Sequence, residues 1–167
     1  MRAYHFTSDK LRDGRPLPAI GEWLEHDRKL EMCASGLHAS PTPWDALQYA
    51  PGVLLHLVEL DGEIISQDDK SVARLRKILA TIDATDLMRK FARTVALKVV
   101  HLWKAPQVVL DYLNIGDESL RDAARAAAGD AARAAARAAA WDAAWDEYKQ
   151  IFNAMVNEAF AAKGVKP

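Results

Sequence analysis

The run Val53-Leu54-Leu55-His56-Leu57-Val58-Glu59-Leu60, closed by Asp61-Gly62, decides how this chain folds. A short stretch rich in Leu and Val that ends on an Asp-Gly turn signal predicts a buried strand, and Glu63 to Ser66 continues it or pairs with it. Upstream, Arg2 to Phe6 alternates like a first strand. Asp13 to Pro18 is a loop by its Pro and Gly, Gly21 to Leu24 is a short strand, and Gly36-Leu37-His38-Ala39-Ser40 is another that ends at Pro41. Thr42 then caps a helix with Pro43 in its first position, running through Tyr49 to a stop at Pro51-Gly52. Val72 to Ile82 fits neither the helix nor the strand period, so both stay open.

From Asp83 onward the pattern is helical. Asp83 or Thr85 caps a helix to about Trp103, with Leu87, Phe91, Val95 and Val99 on one face, and Pro106 restarts a short helix through Leu113. After the break at Asn114-Ile115-Gly116, Asp117 or Ser119 caps a long helix over about 117–162, with Gly164 beyond its end. It is Ala-rich from Asp122 to Asp146 and helical by intrinsic propensity. The fold class is therefore α+β: a small curved or split β-sheet with helices in the N-terminal half, then an all-helical C-terminal half. The expected division is a β-rich module at 1–82 and a helical extension at 83–167.

The 167 residues suit one domain with an added helical element, and 22 Lys and Arg against 23 Asp and Glu disfavour a strongly basic nucleic-acid binder. No apolar run is long enough to span a bilayer, and the start lacks the apolar core of a signal peptide, so a soluble, cytoplasmic protein without membrane contact is expected. A single cysteine, Cys33, excludes an internal disulfide and is expected to be a buried structural residue. The five histidines include no HxxxH or HExxH, so no metal is expected. The common phosphate-binding glycine loops and the GxSxG elbow are absent as well.

On the long helix, Arg121, Arg125, Arg133 and Arg137 form a row interleaved with Asp122 and Asp130. It reads as a salt-bridged surface, or as a face for an acidic partner. Trp141, Trp145, Tyr148, Phe152, Met155 and Ala159 form an apolar stripe that is either packed or presented to a partner, a second copy of the chain included. The candidate partner residues are Arg125, Arg133, Arg137, Trp141 and Trp145.

One constellation stands out by order and spacing. Tyr4-His5-Phe6-Thr7-Ser8 ends the first strand and is followed by Leu11-Arg12-Asp13-Gly14. Then come Gly36-Leu37-His38-Ala39-Ser40, the helix with Ala46 and Ala50 around Tyr49, the Leu-Val-Glu strand with Asp61-Gly62, and the acidic pair Asp68-Asp69. This series, over residues 2–73, resembles the small ADP-ribosyltransferase fold, particularly its rifamycin-modifying branch. The Gly-Leu-His-Ala element followed by Lys70 to Ala73 is also similar to a family of phage and prophage proteins.

The resemblance implies an enzyme that uses NAD to modify a bacterial host target, with a role in countering host defence. It implies that His5 holds the adenosine-side ribose and the backbone beside it, at Phe6 and Thr7, the nicotinamide amide. His38 would stack on nicotinamide, Asp68 or Asp69 would be the acidic residue, and Tyr49 would join the cofactor site. The catalytic candidates are thus His5, His38, Asp68 and Asp69. Two positions depart from the family pattern: Phe6 stands where the family has Gly, which crowds the pocket, and His38 where it has Tyr. The alternative is a non-catalytic interaction or inhibitor protein, such as an anti-defence protein. It would act through its helical surface, with a degenerate pocket. Nucleic-acid contact through the Arg row is a third and weaker reading.

Overall fold

The structure, a computed structural model, describes residues 1–138 and 141–166, with side chains described outside 130–143. It is a mixed α+β fold. An antiparallel five-stranded sheet occupies the N-terminal half, helices follow, and a long helix ends the chain. The strands are β1 (Arg2–Thr7), β2 (Trp23–Glu25), β3 (Leu37–Ala39), β4 (Leu54–Ser66) and β5 (Ser71–Asp83), and the helices are α1 (Pro43–Leu47), α2 (Thr85–Val99), α3 (Gln107–Ile115), α4 (Arg121–Ala138) and α5 (Trp141–Ala162).

The Val53–Leu60 run becomes the centre of the sheet. β4 pairs with β1 on one side and β5 on the other, in the order β1-β4-β5-β2, with β3 also on β5. Asp61-Gly62 does not end the strand as its turn signal implied. The chain passes it through a register shift between Asp61 and Ile64 and continues to Ser66. The undecided Val72–Ile82 segment is strand β5, whose 13 residues pair with β4 along its length. Beyond β3, Ser40 exchanges two backbone hydrogen bonds of 2.8 Å with Tyr4 of β1. The sheet therefore curls until the segment leaving β3 meets β1. Ala3, Ala39, Val58, Leu60, Ala73 and Ile78 fill the core of this curl.

The chain forms two compact units: Met1–Thr85 with Phe152–Pro167, and Asp86–Ile151. A division at 82/83 assigns the last helix wholly to an extension, whereas its C-terminal part belongs with the sheet. Phe152, Val156 and Phe160 are completely buried there. Phe152 meets Trp44 of α1 edge-on, with ring centres 6.1 Å apart, and Phe160 lies 6.3 Å from Tyr4 of β1. Asn153 Oδ1 accepts from the Trp44 amide at 2.9 Å, and Asn157 Oδ1 accepts from the Tyr4 hydroxyl at 3.1 Å. The α1 cap forms as its sequence dictates, with Thr42 Oγ1 accepting from the Asp45 amide at 3.2 Å and Pro43 first in the helix.

The single helix expected over 117–162 is not continuous. A 3-10 turn at Glu118–Leu120, capped by Asp117, precedes α4, and α4 itself is broken at Gly129, where φ is +48° and ψ is −150°. An alanine there would resist a positive φ; glycine, lacking Cβ, accepts it and overrides the propensity of the alanines around it. None of the described helices is long and apolar enough to cross a membrane.

Candidate functional site

Residues of β1, β2, β3, α1, β5 and the loops between them line an open cavity of about 1300 Å3 within the sheet unit. His5, Phe6, Thr7, His38 and Tyr49 all stand in its wall, so the five residues expected to hold the cofactor share one cavity. Asp68 and Asp69 do not line it; they lie in the turn joining β4 to β5. Asp68 is exposed, and Asp69 accepts a short hydrogen bond from the Tyr49 hydroxyl, which holds its carboxyl below the usual range. Lys70 lies over the same Tyr49 ring, 5.1 Å from its centre.

The histidines are differentiated by what already occupies their nitrogens. His38 Nε2 accepts from the Cys33 amide at 3.0 Å, so Nδ1 carries the proton and donates to the Gly36 carbonyl at 3.2 Å. Both ring nitrogens are spent on the chain, and what His38 offers a ligand is its ring face. Burial lowers its pKa and keeps it neutral, only partly countered by the Gly36 bond. His5 is different. It lines the cavity and makes no hydrogen bond through its ring to the described residues, while burial, with Arg76, His56 and His38 nearby, drives its pKa well below the ordinary value. A neutral imidazole with an unengaged donor and acceptor faces the cavity.

Behind His5, register pairs it with His56 and His56 with Thr81, which puts the three on one side of the sheet. Thr7 Oγ1 donates to the Ser8 carbonyl at 2.7 Å. It must therefore accept from His56 Nε2, also at 2.7 Å, and His56 Nδ1 accepts from Thr81 Oγ1 at 2.8 Å. The Thr7 hydroxyl is thus consumed within the fold. Phe6, 2% exposed, points away from His5 and Thr7 by strand alternation, so its ring lies on the other face of β1 from theirs. The expected crowding by its ring does not arise.

The Gly-Leu-His-Ala element owes its glycine to geometry. Gly36 has φ of +127°, and a Cβ there would lie 2.2 Å from Val72 Cγ2 and 2.9 Å from Leu30 Cδ2. Cys33 is exposed rather than buried. It sits at φ +65° in the turn between Glu31 and Ser35, where its amide is aimed at His38. The residue that sequence reading missed is Arg76, 6% exposed in β5, with Nη1 donating to the His38 carbonyl at 2.5 Å. It shares the buried alternation of Ile78, Ala80 and Ile82, a signal visible only once 71–83 is read as a strand.

No three His, Cys, Asp or Glu among the described residues are grouped to hold a metal ion. Of the partner candidates, Arg125 is exposed and Trp145 is 41% exposed, while Arg133, Arg137 and Trp141 lie outside the residues whose side chains are described.

Residues 1–90, which include every residue of the cavity wall, match the family model of a domain of unknown function (DUF7666). No curated protein and no solved structure matches the chain.

Proposed function

The chain belongs to the DUF7666 family, and from the cavity built by its matched residues we propose that it is an ADP-ribosyltransferase-like protein that binds NAD. One observation carries the reading: His5, Phe6, Thr7, His38 and Tyr49, separated by up to 44 positions in sequence, wall a single cavity. Their chemistry fits the task. His5 supplies a free donor and acceptor for a ribose hydroxyl, the β1 backbone beside it serves the nicotinamide amide, and the fixed His38 ring offers a face for stacking.

In the reaction the C1′–N bond to nicotinamide breaks, neutral nicotinamide leaves, and a nucleophile of the target bonds C1′ and loses its proton. Negative charge near C1′ stabilises that transition state. Of the two acidic candidates, Asp69 is favoured over Asp68, because Tyr49 ties it to the cavity rim and its carboxyl is held ionised. The target is a bacterial host protein by the same resemblance.

The second reading is a non-catalytic binding or inhibitor protein that keeps the pocket and acts through its helical surface. The absence of Asp68 and Asp69 from the cavity wall and the 41% exposure of Trp145 favour it.

The test is thermal unfolding with and without millimolar NAD, alongside chromatography for released nicotinamide. NAD at a hundred times its Kd stabilises the fold by about 2.7 kcal/mol. That rise in Tm is expected for the wild type and should be lost in His5→Ala. An unchanged Tm at millimolar NAD ends the NAD reading. Binding without nicotinamide release, with the candidate target present, selects the non-catalytic alternative.

A further inference from the structure

The cavity holds a cation to which the nicotinamide-side chemistry gives no task. Arg76 is 6% exposed, yet none of the ion pairs among the described residues includes it. A guanidinium carries five N–H donors, and among the described residues the His38 carbonyl is the partner it finds. Burial pulls its pKa down to about 10 with no carboxylate offsetting the shift, so it is still charged at neutral pH. An uncompensated buried charge is costly to keep, and apolar packing between Ala73 and Ile78 would be the cheaper solution for a core position.

The surroundings repeat the sign. The cavity wall carries six Lys and Arg against three Asp and Glu, in a chain whose net charge is −1. Asp13 and Arg15 pair with each other at 2.7 Å, which leaves five cations against two acids. His5, whose pKa the Arg76 charge helps to lower, stands in the same cavity wall, and its ring makes no hydrogen bond to the described residues.

We propose that Arg76 is the anchor for a phosphate or diphosphate group of the cavity's ligand. This deepens the NAD reading and rests on it for the identity of the ligand, in which the diphosphate is the anion that meets Arg76. The planar fork of arginine matches two phosphate oxygens at once, which a lysine at the same place cannot do.

Calorimetric titration of the full chain separates the parts, using inorganic pyrophosphate, ADP, NAD and nicotinamide riboside, which has no phosphate. Pyrophosphate and ADP are expected to bind the wild type, more weakly as salt rises. Arg76→Met should weaken both at least tenfold and Arg76→Lys by an intermediate factor, while nicotinamide riboside keeps its wild-type behaviour in both variants. If Arg76→Met does not fold, the Lys variant and the wild-type titrations still decide. The anchor is overturned if neither pyrophosphate nor ADP binds the wild type, or if the variants bind them as the wild type does. Arg76-dependent binding of ADP with no binding of NAD sinks the NAD reading and keeps the anchor. NAD binding that ignores Arg76→Lys does the reverse.

Discussion

His56 is the residue whose chemistry is most constrained. It is 1% exposed, both ring nitrogens are held by threonines, and burial with Arg76 nearby lowers its pKa to about 4. In the unfolded chain it titrates at its ordinary value near 6.5, so below that pH the unfolded state takes up a proton the folded state refuses. Stability is therefore fully present above about pH 6.5 and declines as pH falls toward 4, by on the order of 3 kcal/mol from His56. His5, depressed for the same reason, adds to the slope. Urea unfolding at pH 7.5, 5.5 and 4.5 should show this loss. His56→Gln, which still donates and accepts but does not titrate, should flatten the slope by about 1.4 kcal/mol per pH unit within the window. A slope unchanged in the variant would mean that His56 is not the proton-linked group. Sequence made His5 and His38 visible because each sits in a recognisable pattern. His56 and Arg76 escaped because their importance comes from register, which pairs His56 with His5 and turns Arg76 inward from a segment whose period was undecided.

At the scale of elements, α5 carries what the sequence half revealed. An apolar stripe stepping through Phe152, Met155 and Ala159 was legible, and the fold uses the neighbouring ridge, Phe152, Val156 and Phe160, all at 0% exposure. Two i, i+4 rows sit side by side here: the aromatic and aliphatic row fills the interior, and Asn153 with Asn157 satisfies the Trp44 amide and the Tyr4 hydroxyl. Phe160→Ala should cost about 3–5 kcal/mol, as for other fully buried phenylalanines. Asn153→Ala should cost about 1–3 kcal/mol, because the amide at the start of α1 loses its acceptor in a buried setting. Chemical denaturation reads both, and a change below about 0.5 kcal/mol for either would show that the last turns of α5 are not part of the sheet unit's core. Alanine richness concealed this division of labour. High propensity forecast one uninterrupted helix, and the break at Gly129 depends on a single glycine that propensity summed over the segment does not register.

At the scale of the whole molecule, burial among the described residues is unevenly shared, and that sets how it opens. Among the described residues, the unit of Met1–Thr85 and Phe152–Pro167 buries twenty apolar side chains, while that of Asp86–Ile151 buries Val109 and Ala124. Hydrophobic burial is the main term opposing chain entropy, so the second unit should open at a lower free energy than the first. Sequence drew the fold class correctly from the strand signals and the helical periodicity. Which distant segment completes the sheet's core depends on tertiary packing, and Phe152 to Phe160 look in sequence like any other helical stripe. The consequence is specific: cutting the chain after Asn114 removes Phe152–Pro167 from the sheet unit, and with them the side chains that pack on Trp44 and Tyr4. Native-state hydrogen exchange is the measurement suited to this. Amides of β4, β5 and α5 from Phe152 onward should exchange only through global unfolding. Those of α2, α3 and α4 up to Gly129 should be less protected by at least tenfold, about 1.4 kcal/mol. Within α5 the protection should step up between the turns around Trp145 and those around Val156, although local helix propensity alone gives no reason for a step. Equal protection along all these segments would mean that the chain unfolds as one cooperative body and that the sparse core of Asp86–Ile151 does not govern how it opens.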